Sequence, residues 1–369
     1  MPSLFDPVAL GDIACSNRVF MAPLTRNRAG PGQVPTALMA QYYTQRASAG
    51  LLISEATQIS PLGQGYLDTP GLHSAEQVQG WKAVTAAVHA AGGRIVAQLW
   101  HVGRISHVSL LPPGEVPVSS SAGQASGRTL TAKGLEPVSP ARALRLDEIP
   151  GVIRDYAVAA RNAIEAGFDG VEVHGANGYL LDQFLRASIN QRNDAYGGPI
   201  AHRARLMVEV MQAVAEAIGA RRTGLRLSPV TPSNGAAADA DAQALHGHVI
   251  EQIAPLGLAF LHVIEGATGG TRDIGFDYAA LHRRWKALNP NGGWIVNNGY
   301  SGEMAQAAVR AGHADAVAFG RPFIANPDLV RRLHDGLPLA TPKRETFYGG
   351  GAEGYTDYPA WRAEGTVAA

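Results

Sequence analysis

A parallel (β/α)8 barrel is the fold that this sequence predicts, and three observations carry the prediction. Eight strand-like runs alternate with helix-like segments from one end of the chain to the other. Several helix-like segments stop at glycine, as in Ala91-Gly92-Gly93, Ala166-Gly167 and Ala311-Gly312, a usual C-terminal signal. The length of 369 residues exceeds an ordinary single core but suits an elaborated barrel. A doubly wound sheet is the rival architecture, although it rarely has so many evenly spaced units.

The first strand is read at Arg18–Leu24, where Pro23 lacks an N–H and fits only a strand end. The others are Leu51–Thr57, Arg94–Trp100, Gly170–His174, Gly224–Ser228, Ala259–Ile264, Trp294–Asn297 and Ala314–Phe319. Helical periodicity is clearest at Ala75–Ala91, Leu146–Ala166, Ala201–Gly219, Asp239–Ile253, Gly302–Ala311 and Pro327–Asp335. Residues 102–145 break the rhythm between the third strand and its helix. A Pro-, Ser- and Gly-rich segment of this length predicts a capping loop or hairpin over the C-terminal mouth. Residues 337–369 are irregular but aromatic, with Phe347, Tyr348, Tyr355, Tyr358 and Trp361, and predict a packed C-terminal flap. No repeat or linker interrupts the rest, so one domain over residues 1–369 is expected.

Composition narrows the function. Lys+Arg and Asp+Glu both number 31, so no global charge points to nucleic acid or a membrane surface. No apolar run approaches a membrane span, and the N-terminus shows no secretory signal. The single cysteine, Cys15, excludes an intrachain disulfide and fits a reducing cytoplasm. The histidines lack metal-ligand spacing, so no metal site is expected.

The chemistry concentrates at Gly170-Val171-Glu172-Val173-His174-Gly175-Ala176-Asn177-Gly178-Tyr179-Leu180. A β-branched run ends there in a glycine-spaced turn bearing an imidazole, a carboxamide and a phenol. His174 and Asn177 can donate hydrogen bonds, and Tyr179 can deliver a proton. That set suits polarising a carbonyl or nitro group and protonating the neighbouring carbon. The plain alternative is a satisfied histidine at a strand end, with Asn and Gly making the turn.

Strand parity adds a second line. Val171 and Val173 share one face, which leaves Glu172 and His174 on the other. The same alternation turns Gln98 and Trp100 inward opposite Ala97 and Leu99, and Arg226 inward opposite Leu225 and Leu227. Barrel interiors are normally aliphatic, so these polar groups need partners; a purely structural ion-pair layer is the other reading. Thr25 shares parity with Met21 and Pro23, which would also turn it inward. The eighth unit, Phe319-Gly320-Arg321-Pro322, and the seventh, Asn297-Asn298-Gly299, both open backbone beside a helix start. Together they look like a phosphate cradle.

These segments resemble the old yellow enzyme family of FMN-dependent ene-reductases. The similarity is to its N-ethylmaleimide, nitrate-ester and pentaerythritol tetranitrate reductase branch. The resemblance rests on Met21-Ala22-Pro23-Leu24-Thr25-Arg26, Ile53-Ser54-Glu55-Ala56-Thr57, Gln98-Leu99-Trp100-His101 and His174-to-Leu180. It continues through Asn193-to-Gly198, Phe319-to-Pro327 and the tail from Phe347 to Pro359. It implies that Pro23, Leu24, Ala56 and Gln98 line the flavin ring of a non-covalent FMN and that Thr25 bonds near its C4=O. Arg226 would approach the N1–C2=O edge. Asn298, Gly299, Gly320 and Arg321 would hold the phosphate. His174 and Asn177 would grip the substrate oxygen, Tyr179 would donate the proton, and Tyr66, Trp100 and Tyr348 would shape the pocket. This sequence has Thr25 where another branch has Cys, Asn177 where many relatives have His, and Asn297-Asn298-Gly299 in place of a Gly-Ala-Gly type.

The expected activity is reduction of electron-poor alkenes (enones, maleimides, nitroalkenes) and of nitrate esters, with NAD(P)H as reductant. The resemblance implies hydride delivery from flavin N5 and proton delivery from Tyr179. A cytoplasmic monomer or weak homodimer is expected. The alternatives are a metal-free barrel lyase or isomerase whose anion site holds a phosphorylated substrate, and a barrel that binds a ligand without turnover.

Overall fold

Eight parallel strands, each hydrogen-bonded to its neighbours in chain order, close into a barrel. The structure is a computed structural model and describes residues 1–362. The strands are β1 (Val19–Met21), β2 (Leu51–Gln58), β3 (Ile95–Trp100), β4 (Gly170–Gly175), β5 (Thr223–Leu227), β6 (Phe260–Ile264), β7 (Gly293–Asn297) and β8 (Ala316–Phe319). The ring closes where Val317, Ala318 and Phe319 pair with Val19, Phe20 and Met21, so a doubly wound sheet is excluded. The helices that follow the strands in turn are α1 (Ala37–Thr44), α2 (Ala75–Ala90), α3 (Ile149–Glu165), α4 (Ile200–Ile218), α5 (Ala242–Ile253), α6 (Tyr278–Leu288), α7 (Gly302–Arg310) and α8 (Leu329–Asp335).

Two of these helices were not legible in the sequence. α1 buries Met39, Tyr42 and Tyr43 with a weak polar stripe, and α6 buries only Leu281 and Trp285. Local caps fix several helix starts. Ser74 accepts from the Gln77 N–H at 3.3 Å while the Gln77 side chain returns the bond, a capping box at α2. Asp277 caps α6 through the Ala280 N–H at 2.8 Å.

Parity holds where the strands are regular. Val171, Val173, Leu225, Leu227, Leu261 and Val263 lie in the apolar layer between strands and helices. Phe20, Ile53, Val96, Phe260 and Ile295 fill the barrel interior. Gly224 makes room for that filling, since a Cβ there would sit 2.3 Å from the Phe260 ring. Below it a hairpin of Val8–Leu10 and Ile13–Cys15 plugs the N-terminal end with Leu10, Ile13 and Cys15. Burial pushes the Cys15 thiol up to about 12, which leaves it inert at neutral pH.

One parity reading needs correction, and a second strand carries a bulge. β1 ends at Met21, and Met21 packs on the helix side while Phe20 and Ala22 face the interior. Thr25 lies past the strand, so its place is set by the loop and not by alternation. In β2 the pairing with β3 steps from Ile53↔Val96 to Ala56↔Gln98, one extra residue on β2. This bulge lets the Ser54 hydroxyl accept the Gln98 N–H at 3.0 Å and turns Ala56 to the side of Trp100.

The excursion after β3 contains an antiparallel hairpin, Arg128–Thr131 with Gly134–Pro137, and a short parallel pair, Val118–Ser119 with Arg142–Ala143. The hairpin is tied to the loop after β2, where Leu67 N–H donates to Leu130 C=O at 2.8 Å. That loop carries Tyr66. The C-terminal flap is held by buried arginines. Arg26 donates to the Phe347 carbonyl at 2.9 Å and the Gly354 carbonyl at 2.8 Å, and Tyr355 stacks on Tyr42 at 4.1 Å. Residues 363–369 of the expected flap lie outside the described residues.

Candidate active site

The turn after β4 is held in place mainly by bonds from its backbone to the loop after β5 and to Asp182. Asn177 adopts a left-handed φ of 58°, which asparagine tolerates better than most residues. Its N–H donates to Ser228 Oγ at 2.7 Å, and its carbonyl accepts from Asn234 Nδ2 at 2.8 Å. Gly178 has φ 72°, and a Cβ there would meet the Ser233 carbonyl at 2.5 Å. Its N–H donates to Asp182 Oδ2 at 2.8 Å, and Asp182 pairs with Arg186 at 2.8 Å with both side chains 1% exposed. Arg186 then donates to the Ser228 carbonyl at 2.7 Å, tying the loops after β4 and β5 together.

His174 Nδ1 accepts the Ala176 N–H at 3.3 Å. That assigns the ring proton to Nε2, which is left free to donate. Burial, with the Arg226 charge and the neighbouring His262 imidazole, holds His174 well below the ordinary histidine range, so it is neutral at working pH. Around it stand three aromatic rings. Tyr179 meets His174 edge-on at 5.2 Å and Trp100 edge-on at 4.9 Å, and Tyr66 stacks on Trp100 at 5.7 Å. The Tyr66 and Tyr179 hydroxyls are 3.1 Å apart. Burial raises both phenols above their usual range, so both keep their protons.

Beneath this mouth the inward polar groups find partners. Glu172 accepts from Gln98 Nε2 at 2.7 Å and bonds His262 Nδ1 at 2.7 Å, all three buried. Arg226 donates through Nη2 to Asn297 Oδ1 at 2.9 Å, while its buried Nε has no partner. His262 was missed in the sequence, although Leu261 and Val263 flank it with the same alternation that marked Glu172.

A cavity of about 770 Å³ opens beside Arg226, within the usual range of about 300–1,000 Å³ for ligand sites. Of the residues singled out, Pro23, Leu24, Thr25, Asn177, Arg226, Asn298, Gly299, Gly320, Arg321 and Tyr348 line it. Ala56, Gln98, His174, Tyr179, Tyr66 and Trp100 are not in that lining. Ala56 packs with Trp100, Tyr66 and Tyr179, and Gln98 is bound to Glu172. The Asn298 carboxamide is occupied: it donates to the carbonyls of Glu265 and Ala267 and accepts the Gly269 N–H, so only its backbone is open to a ligand. Thr268 and Arg344 join the lining with no signal in the sequence, because loops bring them there, and Tyr300 and Phe347 join from segments that the sequence had marked.

FMN fits these residues. Its electron-rich pyrimidine edge matches the unpartnered Arg226 Nε, and its phosphate matches Arg321 and Arg344 beside Gly299 and Gly320 in the same cavity.

The buried histidines set a pH dependence for folding. Burial lowers His101 to about 3 and His246 to about 4, and His174 and His262 are lowered too. The unfolded chain protonates them near pH 6.5 while the folded chain does not, so their contribution is lost as pH falls through 6.5. Glu55 runs the other way: burial raises it to about 7, so the folded chain holds a proton that the unfolded chain releases above about 4.5. Four histidines outweigh one carboxyl. Each group shifts stability by on the order of 1 kcal/mol per pH unit. The urea midpoint is expected to drop between pH 7.5 and 5.5; an unchanged midpoint would contradict the neutral imidazoles.

Known proteins resemble this chain over most of its length. A model of the NADH:flavin oxidoreductase / NADH oxidase family matches residues 3–340. The chain is 44% identical over 362 residues to 12-oxophytodienoate reductase 1 of Oryza sativa subsp. japonica, covering 96% of this chain and 92% of that protein. The old yellow enzyme homologue of Zymomonas mobilis superposes with a TM-score of 0.93 at 47% identity, over 98% of this chain and all of that one. Morphinone reductase in complex with tetrahydroNAD gives a TM-score of 0.92 at 46% identity, with both chains covered completely. The lyase, isomerase and non-catalytic alternatives therefore fall away, and the chain belongs to the NADH:flavin oxidoreductase / NADH oxidase family as an old yellow enzyme, an FMN-dependent oxidoreductase.

Proposed function

We propose that this enzyme reduces the C=C bond of electron-poor alkenes, with enones, maleimides and nitroalkenes as substrates and nitrate esters as a further class. The observation that carries the reading is a neutral imidazole that meets a protonated phenol at 5.2 Å, with the Asn177 carboxamide on the turn between them in the chain. Bound FMN supplies the hydride, which it obtains from a reduced nicotinamide. His174 Nε2–H and the Asn177 amide donate to the substrate's carbonyl or nitro oxygen and draw electron density from the β-carbon. Tyr179 delivers its proton to the α-carbon, with the Tyr66 hydroxyl 3.1 Å away as its neighbour. Arg226, Arg321 and Arg344 hold the cofactor in place. Trp100 and Tyr66 exclude water from the reacting end.

Localisation in the cytoplasm belongs to the same reading, supported by a single buried thiol at Cys15. Among the described residues no helix is long and apolar enough to cross a membrane.

The test uses the purified holoprotein. Acid precipitation is expected to release FMN into the supernatant, since the residues that line the cavity include neither cysteine nor histidine. Anaerobic 2-cyclohexenone is then expected to reoxidise the NADH-reduced enzyme with one alkene consumed per flavin. Flavin left in the pellet, or an enone that leaves the flavin reduced, would sink the proposal.

A further inference from the structure

Thr268, in the loop after β6, donates its hydroxyl proton to Asn177 Oδ1 at 2.7 Å. Both residues line the cavity beside Arg226. We propose that Thr268 is a positioning residue that takes the oxygen end of the Asn177 carboxamide and so turns its NH2 end to the substrate. The proposal rests on the reading of Asn177 as a substrate donor.

An asparagine side chain is ambiguous by construction. One end of the amide accepts and the other donates, and its terminal torsion is broad and roughly two-fold. A carbonyl or nitro oxygen is recognised only by the donor end. The backbone of Asn177 is already fixed through Ser228 and Asn234, so orientation of the amide is the remaining freedom. A donor placed on Oδ1 removes the wrong orientation before a ligand arrives.

The proton of Thr268 has two candidate acceptors. Thr231 Oγ1 lies 3.3 Å away, outside the usual range of about 2.5–3.0 Å for O–H···O bonds, and gives its own proton to the Gly266 carbonyl at 2.8 Å. The 2.7 Å contact to Asn177 takes the proton. Although Thr268 is exposed, its loop is braced. Ala267 N–H donates to the Thr271 carbonyl at 2.8 Å, and the Asn298 carboxamide bridges the Ala267 carbonyl and the Gly269 N–H, each at 2.9 Å. Asn298 stands at the end of β7, so two strand ends hold the hydroxyl that aims Asn177. The result is a site that offers only donors, from His174 and Asn177, and selects ligands by an accepting oxygen.

The experiment measures binding of 2-cyclohexenone to the oxidised holoenzyme without reductant, from the perturbation of flavin absorbance, at equal flavin content. Thr268→Val keeps the shape and removes the proton. It is expected to weaken binding about two- to tenfold, the effect of one neutral hydrogen bond. Thr268→Ser is expected to restore wild-type affinity. Asn177→Ala is expected to weaken binding, and adding Thr268→Val to it is expected to change nothing more. Unchanged or tighter binding in Thr268→Val, with Asn177→Ala impaired, overturns the role of Thr268 alone. A further loss in the double variant overturns it too, by showing that the threonine merely supports the loop. An Asn177→Ala variant that binds normally overturns the donor reading and this proposal together.

Discussion

Replacing Tyr179 with Phe is expected to slow reoxidation of the reduced enzyme by 2-cyclohexenone by about 10²–10⁴-fold, the usual contribution of a general acid. Reduction of the flavin by the nicotinamide is expected to stay near the wild-type rate, because no proton passes to carbon in that half. The phenol is suited to the task, since burial raises it above its ordinary value of about 10 and keeps it protonated. The variant removes one oxygen from an aromatic cluster that already packs through ring edges, so Trp100 and His174 keep their neighbour. Tyr66→Phe is the companion variant. It deletes the 3.1 Å partner but leaves the acid, and should cost far less. A nitroalkene should suffer less than an enone in Tyr179→Phe, because the nitronate formed by hydride addition persists without immediate protonation. Stopped-flow traces of the two half-reactions decide the matter. Equal loss in both would make Tyr179 a structural support, and a wild-type enone rate would assign the proton to another group or to water.

Arg226→Met should either strip the enzyme of FMN or lower the potential of the flavin that remains. Burial lowers the Arg226 guanidinium to about 10, which still leaves it charged at neutral pH. One nitrogen is spent on Asn297, the buried Nε has no partner, and Arg226 lines the cavity. A hydrogen bond to a charged group is worth about 1.5–3 kcal/mol. That corresponds to roughly 10- to 100-fold in FMN affinity. If the bond strengthens on reduction, it amounts to about 30–60 mV for a two-electron couple. Equilibrium dialysis and a dye-coupled redox titration measure the two effects. Full occupancy at an unchanged potential would remove Arg226 from the site. Arg226→Lys keeps a charge but loses the planar fork, and is expected to fall between the two.

What could be read from the chain followed from local geometry. Alternation has a period of two wherever backbone is extended, so Val171, Val173, Leu225 and Leu227 were enough to turn Glu172, His174 and Arg226 inward. The same test applied to Leu261 and Val263 finds His262. Helix ends were legible where glycine stops them. α6 carried too little apolar pattern to be seen, burying only Leu281 and Trp285.

The sequence by itself pointed to a barrel of eight strand–helix units and to polar groups turned inward, because both readings depend on short-range periodicity and on the need to pair buried polar groups. Only the tertiary structure decided where alternation stops. Met21 ends β1 before Thr25, and the bulge at Ser54 and Glu55 resets β2 so that Ala56 faces Trp100. It also decided which loops meet over the mouth. Thr268 reaches Asn177 across 91 positions of chain, and Arg26 draws Phe347 to the cavity across 321. Such contacts have no period. They arise from how eight strand ends share one rim, where a residue's neighbours are set by barrel closure and not by its place in the chain.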